Sequence, residues 1–466
     1  MSTLLLRNAR LLATMDAQRR KIPDGGIYVR DNVIQAVGPT TELPAQADQV
    51  IDAADMVVLP GLVNTHHHLY QTLTRAMPAA QNANLFDWLV YLYPIWANLT
   101  AEAVYHSALV GLAELLLSGC TTVSDHLYLV PNDAAHEHEI RAARELGVRF
   151  HPCRGSMSLG RSQGGLPPDS VVETEEEIIA DCERLVSLFH DPARYSMLRI
   201  VVAPCSPFSV TGESMRRSAA WARERGLTMH THVAETKDEE RFCLEKFGCR
   251  PVEYMQRLDW LGPDVWFAHA VYLDAAEVRL MAETGTGVAH CPSSNMRLGS
   301  GIAPIREMLD AGVRVGLAVD GSASNDSSHM LAEARMALLL QRVAKGAEAL
   351  TVDEALELAT RGGARVMGRD DIGALVPGMA ADFIGVNLNR LSFAGAACHD
   401  PLGSLVLCTP PNVDLSVING RVVVEDGVIP GFDMEWAVAR QNEIAHWMAQ
   451  QALSDTGFSA CLQLGA

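Results

Sequence analysis

Histidines recur one residue apart at two places in this chain, His66 and His68 in VLPGLVNTHHHLYQT and His230 and His232 in LTMHTHVAET, and Asp320 follows far downstream in RVGLAVDGSASND. Imidazole nitrogens together with a carboxylate suit a divalent, zinc-like ion, so the three segments read as parts of one metal site. Each lies at the end of a short β-branched or aliphatic run, where a strand stops and a loop begins. Side chains two apart on a strand share a face, which lets His66 and His68 grip one ion while His67 points elsewhere. The chemistry on offer is water activation, because a bound divalent ion lowers the pKa of water from about 15.7 to about 7.

Such residues need a scaffold that brings distant strand ends together. Between residues 57 and 320, short strand-like runs alternate with helix-like stretches, the pattern of a parallel sheet wrapped by helices. The runs are VVLPGLVNTH (57–66), TTVSDH (121–126), VRFHPC (148–153), LRIVVAPC (198–205), LTMHTH (227–232), VWFAHA (265–270), TGVAHC (286–291) and VRVGLAVD (313–320). Eight of them predict a (β/α)8 barrel of the TIM type. Residues able to do chemistry fall at or just beyond the C-terminal ends: His66 and His68, Asp125 and His126, Cys205, His232, His269, His290 and Asp320. That is the face on which such barrels build their sites. A lone HxH says little, but HxH at the first strand end, His232-x-x-Glu235 at the fifth, His269 at the sixth and Asp320 at the eighth form a far more specific constellation. One connecting helix is legible in detail: Thr100 is an N-cap, Val104, Ala108, Leu112, Leu115 and Leu116 recur at helical spacing, and Gly119 ends it.

The flanks lack that alternation. Residues 1–56 and 376–430 hold β segments such as GGIYVRDNVIQAVG and LSVINGRVVVEDGVI with glycine turns, which predicts a small β-sandwich domain assembled from both chain ends. The barrel then takes 57–375, and 431–466 forms a C-terminal helix and tail, with MEWAVARQNEIAHWMAQQAL amphipathic enough to pack on the body or on another subunit.

Composition removes several classes of function. With 37 basic and 56 acidic side chains and a formal net charge of −19, the chain is not expected to bind a nucleic-acid backbone, which demands clustered Lys and Arg. The N-terminus has only three consecutive leucines before Arg7, and no window offers about 18 uninterrupted apolar residues. The expectation is a cytoplasmic protein with no membrane partner. Ten scattered cysteines without a CxxC read as reduced, mostly buried thiols.

The segments PGLVNTHHH, HTHVAET, HCPSSNMRLGSGIAP, AVDGSASND and GALVPGMAADF resemble the amidohydrolase superfamily over almost the whole chain, and within it the branch that deaminates aminated rings. The resemblance implies that His66, His68, His232 and Asp320 hold a single divalent metal, zinc by default and Fe2+ as the alternative, with Glu235 and His269 beside it. No lysine stands at the fourth strand end, where two-metal members carry a carboxylated one. In that chemistry Glu235 would protonate the ring nitrogen next to the attacked carbon, Asp320 would accept the proton of the water, and His269 would orient the water. Because inactive scaffolds of this fold typically lose metal ligands, the intact set here argues for an enzyme.

Further resemblance in NTHHHLYQTLTRA, LLLSGCTTVSDH, RGSMSLGRSQGGLPPDS and APCSPFSV implies hydrolysis of the 2-amino group of 8-oxoguanine to urate and ammonia. Isoxanthopterin and hydroxytriazines are the alternative small heterocyclic substrates. Pro204-Cys205-Ser206-Pro207 replaces a histidine-bearing segment of relatives that act on adenosine-like substrates, which singles out Cys205. Three further candidate contacts each carry a plainer reading. Gln71 reads a ring edge or bonds a helix start, Trp88 stacks on the ring or packs a loop, and Arg154 faces a carbonyl oxygen or forms a salt bridge at the rim. Asp125 and His126 either line the pocket or bond neighbouring loops. His67, His151, His230 and His290 read as supporting or core histidines, and EERFCLEKFG and ETEEEIIADCE as solvated helix faces. Self-association is expected because the superfamily often forms oligomers.

Overall fold

The structure is a computed structural model that describes residues 2–456. Its centre is an eight-stranded parallel sheet: β1 (Leu62–Asn64), β2 (Cys120–Leu127), β3 (Arg149–Ser156), β4 (Val201–Pro204), β5 (Met229–Val233), β6 (Val265–His269), β7 (Gly287–His290) and β8 (Arg314–Leu317). Each strand pairs with the next in chain order. The sheet closes where the backbone N–H and hydroxyl of Thr65 donate to the Leu317 carbonyl at 3.1 and 3.0 Å. This is the predicted (β/α)8 barrel. Every residue of β2 and β3 is buried, as expected of strands covered by helices outside and barrel side chains inside. Helix Ala101–Leu117 starts as expected, with the Thr100 hydroxyl accepting from Ala103 N. It stops before Gly119, whose φ of +91° carries the chain into β2.

The run expected as one first strand is two. Met56–Pro60 pairs antiparallel with Phe383–Asn387, and only Leu62–Asn64 enters the barrel. Gly61 lies between them, where a Cβ would sit 2.1 Å from the Thr121 hydroxyl. The first half belongs to a six-stranded sheet drawn from both ends of the chain, and residues 3–52 supply a further four-stranded sheet. Leu4, Leu6, Ile27 and Val29 of the smaller sheet share one buried apolar layer with Val58, Phe383 and Val417 of the larger. The terminal helix Met434–Thr456 packs on the helices Ala101–Leu117 and Leu85–Trp96, and Gln441 Nε2 donates to Thr72 Oγ1 at 2.9 Å. Among the described residues no helix is long and apolar enough to cross a membrane.

Candidate metal centre and active site

Hydrogen bonds behind each histidine decide which nitrogen faces the barrel mouth. A carbonyl only accepts, so His230, with Nδ1 3.0 Å from Trp266 O, donates there and keeps a lone pair on Nε2. His66 Nδ1, 2.7 Å from that Nε2, must donate to it. His66 Nε2 is thereby left with a lone pair, 3.2 Å from Asp320 Oδ1 and with no hydrogen-bond partner. The same logic applies twice more: His68 Nδ1 donates to His126 O and His232 Nδ1 to Cys205 O, each at 2.7 Å. The Nε2 atoms of His68 and His232 then face each other at 3.1 Å. Two lone pairs at that separation repel unless a cation lies between them. Burial, the largest influence, pulls His66, His68 and His232 below the ordinary imidazole value, which keeps the nitrogens free to ligate. Three imidazoles and one carboxylate fit a divalent ion of the zinc type.

Asp320 follows β8 in the left-handed region, φ +64°, and its carboxylate accepts from Gly321 N and Ser294 Oγ, both at 2.6 Å. Burial works to raise its carboxyl, but the adjacent imidazoles of His66 and His269 outweigh burial and hold it well below the usual range. Glu235 lies just past β5, with a carboxylate oxygen 3.5 Å from His269 Nε2. Burial raises the Glu235 carboxyl against the opposing pull of His269, whereas His269 is raised because Glu235 and Asp320 outweigh its own burial. Burial thus pushes one acid up beside another that its neighbours push down, an arrangement suited to general acid–base work.

The cavity above these groups is bounded by Leu85, Trp88, Leu89 and Tyr93 of helix Leu85–Trp96, by Gln71, and by Tyr128, Cys205 and Phe208. Gln71 Oε1 is buried with no protein partner. Trp88 is oriented by its Nε1 donating to Ala323 O at 3.2 Å. Burial pushes the Cys205 thiol up to about 12, so it is a neutral wall group. Arg154 does not reach this cavity. Its neighbour Cys153 joins the barrel interior with Trp266 and Ala289, so strand alternation turns Arg154 outward, where it bonds Glu173 at 2.6 Å and Asp181 at 2.8 Å. Asp125 and His126 are also absent from the wall: Asp125 accepts from Leu69 N at 2.6 Å, and His126 Nε2 donates to Ala203 O at 2.7 Å. His126 nevertheless clusters with His66, His68 and His232. His67 bonds Ser328 and His151 bonds Arg369, while both nitrogens of His290 are buried without a partner.

Three residues at the site, Glu239, Tyr93 and Tyr128, are not marked by any local sequence pattern. Glu239, in the stretch expected to be a solvated face, is 1% exposed and accepts from Ala234 N at 2.7 Å and Glu235 N at 2.8 Å. It reaches back from its helix to brace the turn that carries Glu235, where Ala234 has φ +57°. Tyr93 and Tyr128 were missed because their chain neighbours are equally aromatic or apolar, and no periodicity marks which ring meets the cavity.

The amidohydrolase family model matches residues 57–423, and the chain belongs to that family. It is an amidohydrolase-type deaminase, a hydrolase of carbon–nitrogen bonds other than peptide bonds. It is 50% identical over 425 residues to the 8-oxoguanine deaminase of Pseudomonas aeruginosa, covering 90% of this chain and 94% of that one. It is 39% identical over 459 residues to an isoxanthopterin deaminase from an unknown prokaryotic organism, covering 92% and 94%. The fold matches the crystal structure of atrazine chlorohydrolase from Arthrobacter aurescens TC1 complexed with zinc, with a TM-score of 0.91 and 34% identity over 95% of this chain and all of that one.

Proposed function

We propose that this protein hydrolyses the 2-amino group of 8-oxoguanine to give urate and ammonia. A single zinc held by His66, His68, His232 and Asp320 would supply a water activated for attack at neutral pH. The observation that carries the choice of substrate is the 50% identity, over nearly the full length of both chains, to a deaminase of that purine.

The residues divide the proton work. Water oxygen bonds to the ring carbon bearing the amino group, and Asp320 takes the proton that the water loses. Glu235, whose carboxyl burial raises, delivers a proton to the adjacent ring nitrogen, so that no negative charge accumulates on the ring. His269, 3.8 Å from Asp320 Oδ2 and 3.5 Å from Glu235 Oε2, stands between the two and orients the attacking oxygen. Asp320 returns its proton to the amine, the C–N bond breaks and ammonia leaves, and the remaining hydroxyl gives its proton to Glu235 as the carbonyl forms. Trp88 lies over the flat ring, Gln71 offers its unpartnered amide oxygen to a ring N–H, and Cys205 leaves room where an imidazole would be bulkier.

Isoxanthopterin is the second reading, supported by the 39% relative and by the same amino-and-oxo ring edge. Ammonia release from purines, pterins and hydroxytriazines after zinc loading tests both. Turnover of 8-oxoguanine at the highest kcat/KM is expected; fast isoxanthopterin turnover with inert 8-oxoguanine would replace the first reading by the second.

A further inference from the structure

Glu235, His269 and Asp320 come from the ends of three different strands, β5, β6 and β8, yet one short segment after β7 touches all three. Ser294 Oγ donates to Asp320 Oδ2 at 2.6 Å. Asn295 Oδ1 lies 2.9 Å from His269 Nδ1. Ser300 Oγ donates to Glu235 Oε1 at 3.3 Å. These three side chains are buried, at 0%, 0% and 4% exposure, so their bonds are shielded from competing water.

The segment is braced internally and externally. Leu298 N donates to Ser294 O at 2.9 Å and Ser300 N to Asn295 O at 2.8 Å, closing the short helix Pro292–Arg297 into a tight turn. Buried Glu333 ties the segment to the loop that carries Asp320, accepting from Ser293 N at 3.3 Å and from Asn325 Nδ2 at 2.7 Å. Leu298, between the two ends, forms part of the cavity wall.

We propose that Ser294, Asn295 and Ser300 act as one positioning unit, setting the mutual geometry of the three proton-handling groups rather than touching the substrate. Asn295 accepts from His269 Nδ1 and so fixes the ring with Nε2 facing Glu235 and Asp320. Ser300 occupies Glu235 Oε1 and leaves Oε2 facing His269, while Ser294 fixes Asp320 Oδ2, the oxygen nearer His269, and leaves Oδ1 facing His66. A shift of this segment would disturb all three groups together. The inference rests on the proposed deamination, since that reaction gives these groups their roles.

The test is steady-state kinetics of zinc-loaded Asn295→Ala, Ser300→Ala and the double variant, alongside zinc content, melting temperature and 15N NMR of the His269 ring. Loss of one oriented hydrogen-bonding group at a reacting centre costs about 10²–10³ in kcat; each single variant is expected to lose kcat on that scale with KM within about threefold and one zinc retained. The double variant should fall little further than the worse single, because groups acting as a unit are non-additive, and Ser300→Thr should restore most of the kcat lost in Ser300→Ala. In the wild type, NMR should show His269 protonated at Nδ1. Wild-type kcat in both single variants, a rise in KM at unchanged kcat, multiplicative losses in the double variant, or a His269 with no proton on Nδ1 would each overturn the proposal. An inactive wild type on every substrate of the panel would instead sink the deaminase reading, leaving the NMR result to judge the geometry.

Discussion

Two buried polar clusters sit at opposite ends of the same barrel, and they are built on opposite plans. At the N-terminal end, Arg149 at the start of β3 grips Asp382 through Nε at 2.9 Å and Nη2 at 3.0 Å. Arg369 grips Asp371 through Nε and Nη2, both at 2.8 Å. Every guanidinium nitrogen there has an acceptor, including the Tyr195 and Ser196 carbonyls, and the cluster fastens the barrel to the sheet that contains Phe383–Asn387. At the C-terminal end, imidazole lone pairs converge on a point with no proton between them, and polar atoms such as His66 Nε2 and Gln71 Oε1 are buried without partners. A saturated cluster holds a fold together; a cluster with convergent unmet valences is arranged to receive an ion and a substrate.

Breaking the mouth should cost activity and spare the fold. Glu235→Gln keeps shape but removes the exchangeable proton, so kcat for ammonia release should fall by about 10²–10⁴ with zinc content unchanged. Breaking the floor should do the reverse. Arg149→Ala strands Asp382 in the interior, and the loss of one partner of a buried pair costs about 3–5 kcal/mol, measurable by urea unfolding, while kcat of the folded enzyme should stay within about threefold.

Acidity separates the clusters more finely. Burial works to raise the Asp371 carboxyl, but the Arg369 hydrogen bond and charge hold it well below its ordinary 3.8. A carboxyl depressed in the fold adds stability that is complete above its unfolded pKa and drains away as pH falls toward the folded one. The stability gap between wild type and Asp371→Asn should therefore be constant from neutrality down to about pH 5 and shrink below 3.8. The smallest effect on catalysis is expected from Arg154→Met, because that guanidinium serves Glu173 and Asp181 outside the cavity; kcat/KM should change less than about threefold.

The barrel was legible because its strands are short, apolar and evenly separated by helical stretches, and the small sheets because their strands carry glycine turns. What escaped was decided by contacts distant in sequence or by the facing of strands. A strand buried on both sides gives no polar alternation to show which residues turn inward, so Arg154 could be read either way. Gly61 divides one apolar run only because Thr121 passes 2.1 Å from where its Cβ would be. Glu239 looks like surface among its charged neighbours and is buried because the turn at Ala234 needs an acceptor. The bonds of Ser294, Asn295 and Ser300 span 26, 26 and 65 residues, beyond the reach of any local pattern.

The proposed chemistry needs a cation held among His66, His68, His232 and Asp320, and zinc retention measures that directly. After loading with excess zinc and gel filtration, the wild-type chain should keep one equivalent, and the folded His232→Ala variant should keep almost none. A wild-type chain that elutes without metal, or a variant that retains as much as the wild type, would contradict it.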